Sequence, residues 1–357
     1  MYESMTYEVI IKRMLDRVPA GLDRREGSLI YTALSAAAAE MQIVYIEFDT
    51  ILKETFAQTA SRENLIRRAA ERGLKPKEAT RAVLKAVADP DTVLIKKGER
   101  FRHGMYYYTV SESMGNGTFQ VVCEKTGEEG NHQFGRLIPV QNISGLTSME
   151  ITELLIPGED AVDTETFRKN YFGSFEKKSY GGNKQDYIEK TNGISGVGAT
   201  KVTRAWDGPS TVKLTILDSD FNKASDLLVQ TVQNIMDPSG TANGDGLAPI
   251  DHRVTVVSAE AVPIHISTDL EIDPNYTLGT LKEMINKAVE GYLKELRTLW
   301  ESIDDCGCIV RISQLESKIL SIEGIYDIKN TKINKKSVNL ELNPYQIPVN
   351  GGVEFDS

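Results

Sequence analysis

Residues 28 to 58 contain apolar side chains at alternating steps of four and three. They are Ile30, Leu34, Ala37, Met41, Val44, Phe48 and Ile51. Steps of four and three give a period near 3.5, which places these side chains in one narrow seam along a helix. A helix of about 30 residues is about 45 Å long. Because that length exceeds what a small core covers, the helix needs a second helix along its length.

Two interpretations of the seam stay open at this stage. The long helix forms an intramolecular hairpin with the predicted helix that follows it, Ser61 to Arg72, or it packs against a helix of a partner chain. A shorter helix, Thr6 to Val18, is predicted before it and ends at Pro19. In the second interpretation the partner interface consists of Ile30, Leu34, Met41, Val44, Phe48 and Ile51.

After the N-terminal helices, the sequence shows strand patterns first and then a mixture of helical and strand patterns. Ala82 to His132 contains short period-two segments, including Val93-Leu94-Ile95, and Leu137 to Ile156 is predicted as an extended connection or edge strands. Beyond Pro157, helical and strand patterns alternate. We therefore predict an α+β, multidomain fold. It comprises an N-terminal long-helix arm (1–76), a small β-rich domain (77–157) and two α/β sandwich-like modules (158–258 and 259–357).

Two further features concern the modules. A helix followed by two strands occurs from Asp186 to Leu217 and again from Ser313 to Leu342, which suggests an internal duplication. The segment after Pro344 contains further proline and no periodicity. It is predicted to be an extended arm or disordered.

Composition narrows the classes of function. The 357 residues include 41 Lys and Arg against 51 Asp and Glu, a net charge of −10. This balance argues against nucleic-acid binding as the main function, because that requires clustered cations. The N-terminus carries acidic residues where a signal peptide carries positive charge, and we expect no apolar run of the length of a membrane span. We therefore expect synthesis in the cytoplasm and no membrane partner.

The pattern of chemically reactive side chains does not indicate an enzyme. The four histidines are scattered and match no metal-binding or catalytic motif. Cys306 and Cys308, separated by one glycine, could chelate zinc or form a redox pair, but further ligands are lacking nearby. We predict no catalytic residues, no cofactor and no metal site.

The order of several short motifs resembles that of the baseplate J-like proteins of contractile phage tails, tailocins and related injection particles. The N-terminal motif is Arg25-Glu26-Gly27-Ser28 before the long helix, and the central one is Gly158-Glu159-Asp160 followed by Glu165-x-x-Arg168. The remaining matches are Leu65, Ala69 and Gly73 after the long helix, then Tyr187, Gly196-Val197, Ala248-Pro249-Ile250, and Ile309 to Leu315 leading to Glu323-Gly324-Ile325. The chain departs from the family at Pro157, where a second glycine is usual, and at Ile325, where valine is frequent.

The resemblance implies a structural wedge component of a baseplate. Two copies of such a subunit would bind one copy of a second wedge protein, similar to tail protein I, through a helical bundle. Six wedges, joined to each other through their C-terminal modules, would surround the central hub and spike. They would also hold the sheath initiator and the tail fibres. The alternatives are a metal- or thiol-dependent enzyme that uses Cys306 and Cys308, or an unrelated multidomain adaptor.

Overall fold

The computed structural model describes residues 2–176, 181–303 and 307–355, which form two compact units. The first unit contains residues 2–77 and 162–176, and the second contains the remaining described residues. The helices are α1 (Tyr7–Leu15), α2 (Leu29–Thr55), α3 (Arg62–Ala70), α4 (Thr164–Glu176), α5 (Lys184–Asn192), α6 (Asp226–Met236), α7 (Leu278–Thr298) and α8 (Ile312–Leu320). The strands are β1 (Arg81–Asp89), β2 (Arg100–His103), β3 (Tyr106–Gly115), β4 (Thr118–Thr126), β5 (Gly135–Arg136), β6 (Ile138–Pro139), β7 (Ser148–Ile156), β8 (Val197–Arg204), β9 (Thr211–Asp218), β10 (Arg253–Ser258), β11 (Glu260–Ile272), β12 (Ile309–Val310), β13 (Ile325–Ile333), β14 (Leu340–Glu341) and β15 (Gln346–Phe355). The prediction of an α+β, multidomain fold is confirmed.

The first unit is helical and contains two small cores. The predicted long helix begins where its cap predicts, because the Ser28 hydroxyl accepts the N–H of Tyr31 at 3.2 Å and Gly27 has a φ of +86°. One core lies between α1 and α2, and the other lies between α3 and α4. The intramolecular partner of α2 is therefore α1. The hairpin with the helix that follows is wrong, since α3 belongs to the second core.

The β-rich part of the second unit is a barrel. Its strands pair in the order β5-β7-β1-β4-β3-β2-β6. The two terminal strands of this order are separated only by Leu137, whose N–H donates to the carbonyl of Met149 at 2.7 Å. The sheet thus closes on itself around a buried core that includes Leu84, Phe101 and Tyr108. The segment from Gly135 to Pro139 thus pairs with β7 through β5 and with β2 through β6.

Two sequence-based assignments in this region are wrong. Val93-Leu94-Ile95 is not a strand, although Val93 and Ile95 are buried and Leu94 is 90% exposed. The segment from Leu137 to Ile156 supplies β6, which is a terminal strand of the order, but its second strand, β7, lies between β5 and β1 and is not an edge strand. In the first case, alternating burial along a loop imitates the pattern of a strand.

The first α/β module has a three-stranded sheet in the order β10-β9-β8, covered by α5 and α6. Its β10 edge is closed by side chains of α6. The Gln233 carboxamide donates to the carbonyl of Val254 at 3.0 Å and accepts the N–H of Val256 at 2.9 Å. The Asp237 carboxylate accepts the N–H of Val254 at 3.1 Å. These bonds replace those of a neighbouring strand.

The second module has a sheet in the order β13-β11-β15, packed against α7 and α8, and a small β12-β14 pair. Of the two predictions for the tail, disorder is wrong, because residues 346–355 form β15, which is parallel to β11. Ile347 is fully buried in this strand. The buried Arg297 of α7 donates to the carbonyl of Pro348 at 2.9 Å, which further anchors the segment.

The predicted duplication holds only for its first part. In both modules a helix leads through a glycine of positive φ, Gly196 at +88° and Gly324 at +94°, into a strand. The next strand differs, because β9 pairs directly with β8 whereas β14 pairs with β12. A shared core that contains Trp300 and Leu217 joins the two modules within the second unit.

Candidate partner interface

One side of α2 is occupied by α1. Tyr31, Ala38 and Tyr45 recur every seven residues and face Ile10 and Ile11 of α1, which are buried. Ala38 is the single fully buried residue that α2 contributes among the described residues. The remaining sides of a helix of 27 residues are therefore largely exposed in the isolated chain.

The predicted seam lies about a quarter turn from the side that α1 covers. Met41, Val44, Phe48 and Ile51 are between 42% and 59% exposed. Ile30 is half-buried. The sixth residue, Leu34, packs at the edge of the α1–α2 core and thus contributes to an intramolecular contact.

Two further apolar residues lie on the opposite side of α2. Ile43 is 50% exposed and Ile46 is 59% exposed. Glu40 and Glu47 are exposed between the seam and this second apolar side. The seven-residue repeat of Tyr31, Ala38 and Tyr45 and the pair Ile43 and Ile46 were the signals, visible in the sequence, that α2 has more than one apolar side.

The expectation that no segment reaches the length of a membrane span needs correction. By length and by a mean hydropathy of 1.4, Leu29–Thr55 is long and apolar enough to cross a membrane, and 6% of the apolar window is buried. This criterion alone is weak, because exposed helices that bind other proteins also satisfy it. Glu40 and Glu47 project from the middle of the helix. Carboxylates near the centre of a span cost about 2.5–3.5 kcal/mol each.

The N-terminal segment supports the exposed end of the seam. The N–H of Tyr2 donates to the two carboxylate oxygens of Asp49 at 3.0 and 3.1 Å. These hydrogen bonds hold the pKa of Asp49 below its ordinary value. The ring of Tyr2 packs near Tyr45 and Phe48, with centroid distances of 5.5 and 6.0 Å. Phe48 is thus held in place while remaining 45% exposed.

The arginine of the central motif supports the C-terminal end of α2. Arg168 lies on α4, and its guanidinium donates to the carbonyls of Ala57 and Ala60, the latter at 2.9 Å. It also contacts the carboxylate of Glu165 at 3.3 Å. These carbonyls follow the end of α2 and have no helical partner. The motif Glu165-x-x-Arg168 therefore has a structural explanation within the first unit.

The other half of the central motif lies at the junction of the barrel and the first module. The Glu159 carboxylate accepts the N–H of Gly196 at 2.8 Å, and that of Asp160 accepts the N–H of Glu128 at 3.1 Å. A Cβ on Gly158 would lie 2.7 Å from the nitrogen of Ala82. These motif residues therefore connect backbone segments.

The cysteine pair does not form a reactive site in the part that the structure describes. Cys306 lies outside the described residues. Cys308 is fully buried, and burial raises the pKa of its thiol. A raised pKa disfavours the thiolate that both nucleophilic attack and zinc binding require. A Cβ on the intervening Gly307 would collide with the carbonyl of Leu342, so packing explains this glycine.

The described residues contain no group of three or more His, Cys, Asp or Glu side chains arranged to hold a metal ion. The most prominent feature that needs a ligand is instead the uncovered surface of α2. Its apolar side chains recur at coiled-coil spacing and are flanked by the carboxylates of Glu40 and Glu47.

Comparison with known proteins gives two matches to family models. Residues 179–258 match the Baseplate J-like central domain, and residues 264–356 match the Baseplate J-like protein C-terminal domain. In Bacillus subtilis (strain 168), the Phage-like element PBSX protein XkdT is 35% identical over 357 residues, covering 99% of each chain. The Uncharacterized protein YqbT of the same strain is 34% identical with the same coverage.

A solved structure, the anti-feeding prophage (AFP) baseplate, contains a chain that aligns with 97% of this chain and 90% of its own length. The sequence identity is 7% and the TM-score is 0.39, which is too low to establish a common fold. The family models and the full-length relatives carry the assignment, and they agree with the motif order and with the two α/β modules. The chain belongs to the baseplate J-like protein family.

Proposed function

We propose that this chain is a wedge subunit of its baseplate and that α2 is the helix through which the wedge assembles. Family membership makes the chain a component of the baseplate of a phage-type particle, within a family of structural proteins. The observation that carries the finer proposal is the surface of α2. One side packs against α1, while the later part of the seam, from Met41 to Ile51, is exposed.

The seam is suited to a helix of another protein. Met41, Val44, Phe48 and Ile51 provide side chains of several sizes at alternating steps, which is the arrangement that allows knobs-into-holes packing. Each fully covered side chain of this size contributes about 1.5–3 kcal/mol. Ile43 and Ile46, on the opposite side, give α2 room for an additional helix.

The occupants that we propose are one copy of a second wedge protein, similar to tail protein I, and a second copy of this chain. In the complete particle, wedges joined through the C-terminal modules would surround the hub and spike and contact the sheath initiator and tail fibres. The subunit would be made in the bacterial cytoplasm. The exposed carboxylates of Glu40 and Glu47 favour protein over lipid as the cover of α2.

The test is the mass of the chain purified alone and after co-expression with its neighbouring reading frames, measured by light scattering after size exclusion. We expect a discrete complex of two copies of this chain with one partner. Met41→Glu should disrupt it, because a buried unpaired carboxylate costs several kcal/mol. Glu40→Gln is the matched control, since it also changes one charge on α2 but lies between the two apolar sides. The proposal would be refuted if the chain stays a monomer with every co-expressed neighbour. It would also be refuted if both variants lose the complex to the same extent.

A further inference from the structure

Four lysines fall within eight residues at one edge of the second module. They are Lys329, Lys332, Lys335 and Lys336, on β13 and the turn that follows it, and we call residues 329–336 the lysine hairpin. The chain as a whole is acidic, with a net charge of −10. The lysine hairpin is therefore a positively charged patch on an acidic chain, and it lies on the outer strand of the β13-β11-β15 sheet.

Hydrogen bonds fix the backbone of the lysine hairpin. The N–H of Ile333 donates to the carbonyl of Lys336 at 2.9 Å, and the reverse bond is 3.0 Å. The two residues between them, Asn334 and Lys335, have φ values of 48° and 68°. The Asn334 side chain accepts the N–H of His265 at 2.8 Å, which fastens the turn to β11.

Lysine is an unusual residue at the tip of such a turn. Two-residue turns with positive φ at both positions favour Asn-Gly, because glycine adopts this conformation without steric cost. For a residue with a Cβ the left-handed conformation costs about 1–2 kcal/mol. Asn334 is the residue favoured at the first position of such a turn. Lys335 occupies the second position, where glycine is favoured, and adds a positive charge there. The tip thus carries a cation at the expense of local stability.

Three of the four charges are not neutralised within the described parts of the chain. Lys329 forms ion pairs with Asp327 at 2.8 Å and Glu271 at 3.3 Å. Lys332, Lys335 and Lys336 have no carboxylate within ion-pair distance among the described residues. Lys335 and Lys336 are exposed.

We propose that the lysine hairpin docks onto an acidic surface of a second copy of this chain. Outside the hairpin the chain carries 51 acidic and 37 basic residues, the 37 being the total of 41 less these four. Acidic surfaces of identical chains repel each other, but a basic patch on one copy attracts the acidic surface of the next. Such a contact joins two different patches, which is the kind of interface that builds rings. This inference rests on the proposed function, in which copies meet around a hub.

The first test measures self-association of the full chain by light scattering at about 50 mM and about 500 mM salt, since salt screens exposed charges. The variant is Lys332→Glu with Lys335→Glu and Lys336→Glu. The matched control is Lys282→Glu with Lys287→Glu and Lys294→Glu, three exposed lysines of α7 in the same module. We expect association that weakens with salt in the native chain and in the control. The hairpin variant should self-associate at least tenfold more weakly than the native chain at low salt.

The second test identifies the contact. A mixture of the chain labelled with nitrogen-15 and the unlabelled chain is treated with a zero-length carbodiimide, and the cross-linked peptides are sequenced by mass spectrometry. Links from Lys335 or Lys336 to carboxylates of the other isotope are expected. Links confined to one copy, or a hairpin variant that associates like the native chain, would overturn the proposal.

Two additional variants separate folding and the α2 interface from the hairpin contact. Lys335→Gly removes the tip charge and relieves the turn, so it should fold at least as well as the native chain and still weaken association. Met41→Glu should abolish the complex with the second wedge protein and leave the salt-dependent contact intact. The hairpin variant should show the opposite pattern, so failure of either proposal is recognised independently.

Discussion

The side chain of Glu159 accepts the backbone N–H of Gly196 at 2.8 Å, in a buried position at the junction of the barrel and the first α/β module. Gly196 has a φ of +88°, and a Cβ there would lie 2.8 Å from Ile156. Two motif residues that are distant in the sequence are thus one structural connection. The pairing gives the glycine and the glutamate of the motif order a structural role.

Loss of this connection should destabilise the second unit. Glu159→Ala leaves a buried N–H without an acceptor, which costs about 1–3 kcal/mol. Glu159→Gln keeps an acceptor oxygen and should cost less. Glu153→Ala, at an exposed position of β7, is the control. Thermal unfolding measures all three. Equal stability of the alanine variant and the control would contradict this role.

Arg168→Ala should loosen the end of α2. The guanidinium satisfies the carbonyls of Ala57 and Ala60, and hydrogen bonds to charged groups contribute about 1.5–3 kcal/mol. We expect faster proteolysis between residues 56 and 61 and a lower Tm of the first unit. Arg67→Ala is the control, because Arg67 forms an exposed ion pair with Glu63 that contributes at most about 0.5 kcal/mol. If both variants are digested at the native rate, the bonds of Arg168 do not stabilise this segment.

Asp218 should make the stability of the second unit depend on pH. Burial raises the pKa of this carboxyl to about 6, and the negative charge of Asp220 adds to the effect. Because the folded pKa exceeds the unfolded value, the stabilisation is complete below pH 3.8 and is lost as the pH rises through 6. The difference corresponds to about 3 kcal/mol.

Asp218→Asn isolates this contribution from the other titrating groups. Its amide oxygen accepts the N–H groups of Asp220 and Asn222 as the native oxygen does. The variant should be more stable than the native chain at pH 7.5, and the advantage should shrink towards pH 4. Urea unfolding at several pH values measures the difference. A variant less stable at pH 7.5 would show that the ionised carboxylate is favourable.

Thiol labelling distinguishes the structural from the chemical interpretation of the cysteines. Cys123 and Cys308 are both fully buried, and burial raises the pKa of each thiol. In a Cys306→Ser background we expect no reaction with an aromatic disulfide until the chain is unfolded, when two thiols react. Rapid labelling of the native variant, or stoichiometric zinc in the native chain by elemental analysis, would revive the thiol or metal alternative.

The sequence predicted the long helix well, because its apolar spacing and the Ser28 cap are local signals. Of the two interpretations of its seam, the hairpin with the following helix is wrong, since a period near 3.5 defines a seam without saying what covers it. The repeat of Tyr31, Ala38 and Tyr45 was available as a second seam and identifies the side that α1 occupies. A partner chain leaves no such signal in a single sequence, which is why the interface remains a proposal.

The C-terminal strand was missed for a different reason. Pro348 and the pair Gly351 and Gly352 interrupt the alternation that indicates a strand. An edge strand tolerates proline, because the missing N–H faces away from the sheet. Burial of Ile347 and the bond from Arg297 to the Pro348 carbonyl involve residues that are far apart in the sequence. Local patterns do not contain that information.

The closed barrel and the capped β10 edge affect how the protein resists aggregation before it is assembled into a particle. Subunits of an ordered assembly accumulate while they wait for partners, and exposed strand edges in a concentrated pool seed fibrous aggregates. In this chain the segment that joins β5 to β6 occupies strand edges of the barrel. The Gln233 carboxamide occupies the backbone of the β10 edge, so another chain cannot pair there. At these two places, therefore, a crowded pool of unassembled subunits should not polymerise by strand addition.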